Sequence, residues 1–137
     1  MGSFITHFSF SSKGHYKLYN SWTLDNTSDI YVYNDASRSG FVIMRETGTD
    51  DRLFAGKTAY PIERFGTVHI QVQTKNGMKE IELRNVALAL GFMTNLVSLQ
   101  LLNIKGVHWN SETPDRLVRI GEIYFCDLLR VDDHVVL

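Results

Sequence analysis

The segment from Trp22 to Ile30 constrains the fold of this chain more than any other. It reads Trp-Thr-Leu-Asp-Asn-Thr-Ser-Asp-Ile, so a short apolar strand ends in a carboxylate, Asp25, at the start of a polar turn. The residues that follow, Ile30 to Tyr33, are β-branched and aromatic and are bounded by Asn34-Asp35. This composition is typical of a strand that ends in a turn. The sequence therefore predicts two strands joined by a tight turn that begins at Asp25.

A second segment, seventy residues after Asp25, predicts a strand that continues into a helix. It reads Asn-Leu-Val-Ser-Leu-Gln-Leu-Leu-Asn-Ile-Lys-Gly from Asn95 to Gly106. Ser98 is suited to the N-cap position, where its hydroxyl can accept a hydrogen bond from the amide of Leu101. Gly106 is suited to the position just after the helix, where positive φ angles are common. We expect the strand of this segment to return the chain to Asp25.

Together the two segments resemble the halves of a retropepsin-type aspartic protease protomer. They are most similar to the protease region of copia-type retrotransposon polyproteins, in which Trp-x-Leu-Asp-Ser-Gly is followed downstream by Asn-Leu-Leu-Ser. The resemblance implies an all-β fold, mainly β with one short helix, that closes into a barrel or sandwich and forms a homodimer. Asn26 and Thr27 depart from the family pattern, because they stand where it has Ser-Gly.

The resemblance makes Asp25 the catalytic residue, with Asn26, Thr27 and Ser28 as its motif neighbours. Aspartic proteases use two carboxylates that share one proton, one as the base toward water and the other as the acid toward the scissile carbonyl. The chain holds one such motif, so an active site needs Asp25 from each protomer of a homodimer, with an extended peptide or polyprotein as substrate. Asn26 offers a different hydrogen-bond geometry from a hydroxyl, and β-branched Thr27 adds bulk and disfavours positive φ. We expect an aspartic endopeptidase with impaired activity.

Two alternatives to a working protease remain open. In the first, the chain is a catalytically inactive, domesticated protein of the same fold that acts as a dimeric peptide-binding, protein-binding or scaffold module. In the second, Asp25 is simply a turn residue that caps the end of a strand. The first alternative keeps the dimer and the peptide partner, whereas the second requires neither.

The resemblance also implies a substrate-binding surface. Residues 54–66 match the flap, a hairpin that closes over bound peptide, and the segment from Ile62 to Gly66 fits the end of that hairpin. Asp29 matches an acidic position that contacts the substrate backbone or forms a structural ion pair. The implied substrate-binding residues are Asp29, Tyr60, Ile62, Gly66, Leu96 and Val97.

The clearest local pattern is a β-hairpin from Thr67 to Asn85. Asn76-Gly77 favours a two-residue type I′ turn, in which both residues have positive φ. The register that follows pairs Val72 with Ile81 and Ile70 with Leu83 on an apolar face, and Gln73 with Glu80, Gln71 with Glu82 and His69 with Arg84 on a polar face. We expect the apolar face to be buried and the polar face to contact water.

Composition narrows the class of protein. A chain of 137 residues with a formal net charge of −1 is the size of one domain and has no basic stripe for nucleic acid. The single cysteine, Cys126, cannot form an internal disulfide and is expected in the core. The five histidines are dispersed and there is no Cys/His cluster, so neither a metal nor a cofactor is predicted. The absence of a signal-like or membrane-spanning apolar run favours a cytoplasmic or nuclear protein without membrane contact.

Three segments are expected along the chain. Residues 1–15 predict an N-terminal arm that is loose or paired with something outside the protomer. Residues 16–109 form the retropepsin-like core. Residues 110–137 are either a β extension of that core or the start of the next polyprotein segment, with strands near 116–120, 123–129 and 135–137.

Overall fold

The computed structural model describes residues 2–8, 18–35, 41–46, 50–112, 115–119, 122–131 and 134–137, with the backbone alone for 41–46 and 122–124. The chain is mainly β with one short helix, so the predicted fold class is confirmed at that level. In chain order the elements are β1 (Ser3–Thr6), β2 (Trp22–Asp25), β3 (Val32–Tyr33), β4 (Phe41–Glu46), β5 (Arg52–Ala55), β6 (Thr58–Pro61), β7 (Arg64–Thr74), β8 (Gly77–Leu88), β9 (Asn95–Ser98), α1 (Leu99–Ile104), β10 (Val107–Asn110), β11 (Arg116–Arg119), β12 (Glu122–Asp127), β13 (Leu129–Val131) and β14 (His134–Val136).

The main sheet has eight strands in the order β13-β14-β2-β9-β3-β8-β7-β4. Strand β9 lies between the two strands that flank the Asp25 turn, parallel to β2 and antiparallel to β3. The two ends of this order, β13 and β4, do not pair with each other in the described part of the chain, so the sheet is open there. The closed barrel implied by the resemblance is therefore not found.

The long hairpin of β7 and β8 has the predicted faces but not the predicted register. Thr74 pairs with Gly77, so the turn residues are Lys75 and Asn76, and Ile70 pairs with Ile81. Gly77 has φ +102°, whereas Asn76 is not among the described residues with positive φ. The turn therefore lies one residue earlier than predicted, with Gly77 at positive φ directly after it, and this shifts every pairing partner by two residues. Side-chain alternation is unchanged by a shift of two, so the buried face is still the apolar one.

Asn85 interrupts β8 and changes which of its residues are buried. Its φ is +56°, and the pairing of β7 with β8 shifts between Gly66 and Val68 at this point. Such a bulge places two residues of one strand opposite one residue of the other and bends the sheet. Before the bulge Ile81 and Leu83 are buried, and after it Val86, Ala87 and Leu88 are all buried.

Two clusters of buried side chains form the core. The first includes Tyr31, Val72, Ile81, Leu83, Val97, Leu102, Leu117, Phe125 and Cys126. The second includes Phe8, Ile30, Leu53, Ile62, Phe65, Phe92 and Leu96. Cys126 is fully buried, as predicted, and its burial raises the pKa of the thiol to about 12.

The two ends of the chain both join the body of the protein. Strand β1 pairs in parallel with β5, with Ser3 opposite Arg52 and Thr6 opposite Ala55. The expectation of an arm that is loose or paired outside the protomer is therefore wrong for residues 3–6, while residues 9–15 lie outside the described part. At the other end, Val136 pairs with Thr23, so β14 extends the main sheet beside the strand that carries Asp25. Residues after 109 are packed here as an extension of the same core.

Candidate functional site: the Asp25 turn and its cleft

Asp25 is the last residue of β2, and its buried carboxylate accepts hydrogen bonds at both oxygens. The residue is only 5 % exposed. The hydroxyl of Thr6 donates a hydrogen bond to Oδ2, and the backbone N–H of Thr27 donates to Oδ1 at 2.9 Å. The Thr27 hydroxyl donates to the same Oδ1 at 2.7 Å. Both oxygens of this buried carboxylate therefore accept hydrogen bonds from residues of the same chain.

Thr27 fits the turn because the turn does not use positive φ at this position. Among the described non-glycine residues Asn85 alone has positive φ. The bond from the Thr27 N–H to a carboxylate two residues earlier is an Asx turn, which an L-residue adopts readily. The expectation that Thr27 would oppose the turn through its backbone is therefore wrong. Its effect on Asp25 comes from the hydroxyl, which occupies one carboxylate oxygen.

The N-terminal strand is fastened along the whole Asp25 turn. Thr6 Oγ1 accepts a hydrogen bond from the N–H of Phe8 at 3.0 Å, while it donates to Asp25. The N–H of His7 donates to Thr27 Oγ1 at 3.0 Å. Asp29 accepts from the N–H of Ile5 at 3.0 Å, and its own N–H donates to the Ile5 carbonyl at 3.3 Å. Asp29 thus holds the arm, which is a structural role of the kind that the sequence left open.

The two predicted segments meet beside Asp25. In the parallel pair of β2 and β9, Asp25 stands opposite Ser98, which confirms that the second segment returns to the first. The Ser98 hydroxyl donates to the Ser28 carbonyl at 2.6 Å and accepts from the N–H of Leu101 at 3.2 Å. One hydroxyl therefore caps α1, as predicted, and also ties the helix to the turn. The Ser28 side chain is fully buried and bonds the N–H and the carbonyl of Ile30.

A cleft of about 300 Å³ opens at the Asp25 turn. Its lining residues come from the arm, the turn and the last strands of the chain, namely His7, Phe8, Leu24, Asp25, Asn26, Thr27, Trp109, His134 and Val135. The rings of Phe8 and His134 lie 4.9 Å apart between centroids, so the arm and β14 meet across one side of the cleft. The lining is mixed, because apolar and aromatic side chains alternate with a similar number of polar ones.

Trp109 is held in the cleft wall by a partly exposed network of hydrogen bonds. Its indole N–H donates to Asp115 Oδ1 at 3.2 Å, and Asp115 forms an ion pair with Arg130 at 2.6 Å. The hydrogen bonds from Arg130 and Trp109 lower the pKa of the Asp115 carboxyl. The tail of the chain therefore fixes the orientation of this aromatic wall.

Most of the implied substrate-binding residues lie in the core and not in the cleft. Leu96 and Val97 are fully buried and Ile62 is 3 % exposed, so their side chains face other core residues. Gly66 is buried in β7, and Tyr60 is half-buried with its ring edge on Phe92 at 5.0 Å. None of these five lines the cleft.

The segment expected to form a flap does form a hairpin. Strands β5 and β6 are joined by Gly56-Lys57, and Gly56 has φ +61°, which suits the first position of a type II′ turn. Strand β5 also pairs with β1, so this hairpin and the N-terminal arm form one three-stranded sheet. The hairpin is connected to Asp25 through β1 of the arm, because β1 pairs with β5 and its residue Thr6 bonds Asp25.

Sequence reasoning missed the cleft residues that come from distant parts of the chain. Phe8 lies seventeen residues before Asp25, and Trp109 and His134 lie far after it. No local period or motif marks these positions.

Searches for two other kinds of site gave negative results over the described residues. No group of three or more His, Cys, Asp or Glu side chains is placed to hold a metal ion among them. In the same part of the chain, no helix has the length and apolar character needed to cross a bilayer.

Comparison of the chain with protein-family models, with curated proteins and with solved structures found no match. What the chain does is therefore inferred from its own residues and contacts.

Proposed function

We propose that this chain is a retropepsin-like domain that binds extended peptide in the cleft beside Asp25 without cutting it at an appreciable rate. The observation that carries this proposal is that both oxygens of the Asp25 carboxylate accept hydrogen bonds from Thr6 and Thr27. A working dyad needs two carboxylates that share a proton and act on water. A carboxylate whose two oxygens already accept three hydrogen bonds from its own chain is instead suited to holding the turn together.

The layout around Asp25 supports the retropepsin-like part of the proposal. Asp25 ends a strand, enters a short turn and stands opposite Ser98 of the second segment. Strand β9 lies between β2 and β3, so the two segments that carry the resemblance form one buried unit. This juxtaposition depends on contacts seventy residues apart and would not arise if Asp25 were merely the end of an isolated hairpin.

The lining of the cleft supports a peptide as its occupant. Phe8, Leu24 and Trp109 offer apolar and aromatic surface for side chains, while Asn26 and His134 offer polar groups for a peptide backbone. An extended peptide needs both, since its affinity comes from backbone hydrogen bonds and its specificity from pockets for side chains.

Two measurements test the proposal. In the first, the chain is incubated with a library of extended apolar peptides at acidic and neutral pH, beside an Asp25→Asn variant. We expect no cleavage by either chain, and none by the double variant Asn26→Ser with Thr27→Gly, because Thr6 still occupies the carboxylate. Acid-favoured cleavage by the unchanged chain that Asp25→Asn abolishes would overturn the proposal.

The second measurement follows peptide binding by NMR through the indole N–H signal of Trp109. Peptide should shift this signal. The Trp109→Phe variant lacks the indole, so the affinities of the variants are measured by isothermal titration calorimetry, and this change should weaken binding because the ring loses its anchor on Asp115. Trp22→Phe is the matched control, since Trp22 stacks on Tyr33 and does not line the cleft. Equal binding by the two variants would remove the cleft from the binding surface.

A second candidate function is an impaired aspartic endopeptidase that works as a homodimer. One observation favours it, namely that Asp25 lines an open cleft that a second protomer could complete. In that case the Thr6 hydroxyl must leave Oδ2 when the dimer forms. This candidate predicts a dimer at micromolar concentration in sedimentation, and acid-favoured cleavage once Thr6→Val is added to Asn26→Ser and Thr27→Gly. A strict monomer at all accessible concentrations would eliminate it.

A further inference from the structure

A second cavity lies apart from the Asp25 cleft, between the long hairpin, α1 and the sheet of β10 to β12. Its volume is about 250 Å³, and it shares no lining residue with the cleft. The apolar part of its lining is formed by Ile81, Leu83, Leu102, Val107 and Phe125. This volume is slightly below the ~300–1,000 Å³ of typical ligand sites, so the cavity favours a small ligand.

Three cationic side chains surround this cavity. Lys79 Nζ lies 4.5 Å from the centroid of the Phe125 ring, and the Arg119 guanidinium lies 4.7 Å from the same centroid. Lys105 Nζ lies 5.9 Å from the centroid of the Tyr31 ring. No salt bridge joins any of the three to a carboxylate among the described side chains. Positive charge is therefore concentrated on aromatic surface without an ion-pair partner among the described side chains.

Two glutamates beside the cavity have their carboxylates committed elsewhere. Glu80 and Glu82 also line the cavity, although successive side chains of a strand point to opposite faces and theirs alternate with those of Lys79, Ile81 and Leu83. Glu80 accepts a hydrogen bond from Gln71 at 3.3 Å on the polar face of the hairpin. Glu82 is bonded there by His69 at 3.0 Å and by Arg84 at 2.5 Å. The pair with Arg84 offsets the charge of Glu82, so the three cations of the lining outnumber the one remaining carboxylate, Glu80.

Tyr31 contributes an unused hydrogen-bond donor to the lining. The residue is 1 % exposed, and its hydroxyl has no hydrogen-bond partner. Burial raises the pKa of this hydroxyl to about 12, so it is protonated at neutral pH and able to donate. Buried polar groups in native proteins are almost always paired, and an unpaired one calls for an explanation such as a bound ligand.

We propose that this cavity binds a short-chain organic carboxylate, with its carboxylate among Lys79, Lys105, Arg119 and the Tyr31 hydroxyl and its alkyl chain on the apolar walls. The carboxylate supplies the acceptor that Tyr31 lacks and the negative charge that the three cations lack. The alkyl chain fills the apolar part of the lining, which a free inorganic anion would leave empty. The site is independent of peptide binding in the Asp25 cleft.

Isothermal titration calorimetry of the full chain with octanoate tests the proposal. Octanol, octylammonium and inorganic phosphate are the comparison ligands. Octanoate should bind at least about tenfold more tightly than each of them, because only octanoate uses both halves of the site. Equal binding of octanol would reduce the site to an apolar pocket, equal binding of phosphate would reduce it to an anion site, and no binding of octanoate would overturn the proposal altogether.

Three variants locate the binding. Tyr31→Phe should weaken octanoate binding about tenfold, which is the loss expected for one hydrogen bond to a charged group. The double variant Lys79→Gln with Arg119→Gln should weaken it further. Lys57→Gln is the matched control, since Lys57 is an exposed lysine in the β5–β6 turn away from the cavity. Circular dichroism checks that each variant is folded, and an unchanged affinity in folded Tyr31→Phe and in the folded double variant would place the binding elsewhere.

Discussion

Asp25 and Tyr31 lie six residues apart, on either side of one turn, and both are buried, yet their polar atoms have opposite surroundings. The carboxylate of Asp25 accepts three hydrogen bonds from Thr6 and Thr27. The hydroxyl of Tyr31 has no hydrogen-bond partner among the described residues, and Lys105 Nζ lies 5.9 Å from the centroid of the Tyr31 ring. The carboxylate of the motif that resembles a catalytic centre therefore has hydrogen-bond partners within the chain, whereas the hydroxyl of Tyr31 does not.

This contrast distinguishes buried polar groups that stabilise the fold from buried polar groups that can bind a ligand. Removing a partner from a satisfied buried group leaves the other partner unpaired and costs about 1–3 kcal/mol, so such groups stabilise the fold. An unsatisfied buried group lowers stability in the free protein, and a ligand that supplies its partner recovers that loss. The stability of variants should therefore respond strongly at Asp25 and weakly, or in the opposite direction, at Tyr31.

The largest effect is expected for Asp25→Ala. This change removes the acceptor of three hydrogen bonds and leaves the Thr6 hydroxyl and the Thr27 N–H without it. The free energy of unfolding should fall by about 3 kcal/mol, measured by urea denaturation. Asn26→Ala is the control, because Asn26 is exposed in the same turn. A fall no larger than that of the control would mean that Asp25 does not hold the turn.

The next effect is expected for Thr6→Val, which keeps the shape of the side chain and removes its hydroxyl. The hydroxyl both donates to Asp25 and accepts from the Phe8 N–H, so the free energy of unfolding should fall by about 1–2 kcal/mol. Thr6→Ser retains the hydroxyl and should lose less. If the serine variant is as unstable as the valine variant, the loss comes from packing and not from the bond to Asp25.

The same region shows how much of the structure could be predicted from the sequence. The cap on α1 and the buried face of the long hairpin follow from local patterns, because capping and alternation are set by neighbouring residues. The meeting of Asp25 with Ser98 is a long-range contact, which was expected from the resemblance of the two segments to a known family. The hairpin register does not follow, since Asn76-Gly77 suits two turn types that differ by two residues in pairing.

The contacts that decide the chemistry of Asp25 were beyond local reasoning. Thr6 reaches Asp25 only because β1 pairs with β5, a contact between residues about fifty apart that no periodicity encodes. Leu96 and Val97 were assigned to the substrate surface by resemblance. Their strand, β9, instead pairs with β2 on one side and β3 on the other, and both side chains are buried in the core. Long-range pairing determines which residues of a motif face a cleft.

A third test uses the alkaline titration of Tyr31. Its pKa is raised from 10.0 to about 12 in the folded chain, because burial disfavours the phenolate. The unfolded chain therefore releases the Tyr31 proton at lower pH than the folded chain. The contribution of the protonated hydroxyl to the free energy of unfolding is complete below pH 10 and is lost as pH rises toward 12. The difference in stability between the unchanged chain and Tyr31→Phe should change across this interval. A pH-independent difference would mean that Tyr31 is not buried as a neutral phenol.

The smallest effect is expected for Tyr31→Phe at neutral pH. The hydroxyl has no partner, so its removal should leave the free energy of unfolding within about 0.5 kcal/mol or raise it by up to about 1 kcal/mol. The result is compared with Thr6→Val under the same conditions. A loss at Tyr31 as large as that at Thr6 would erase the contrast between the two groups.

The most direct test of the central claim, that the Asp25 carboxylate is held by the arm, is a double-mutant cycle between Thr6 and Asp25. The free energies of unfolding of Thr6→Val, Asp25→Ala and the combined variant are compared with that of the unchanged chain. If the two side chains share a buried hydrogen bond, the cycle should give a coupling of about 1 kcal/mol or more. Additive effects, within ~0.5 kcal/mol, would contradict the account, because they would leave the Asp25 carboxylate independent of the arm.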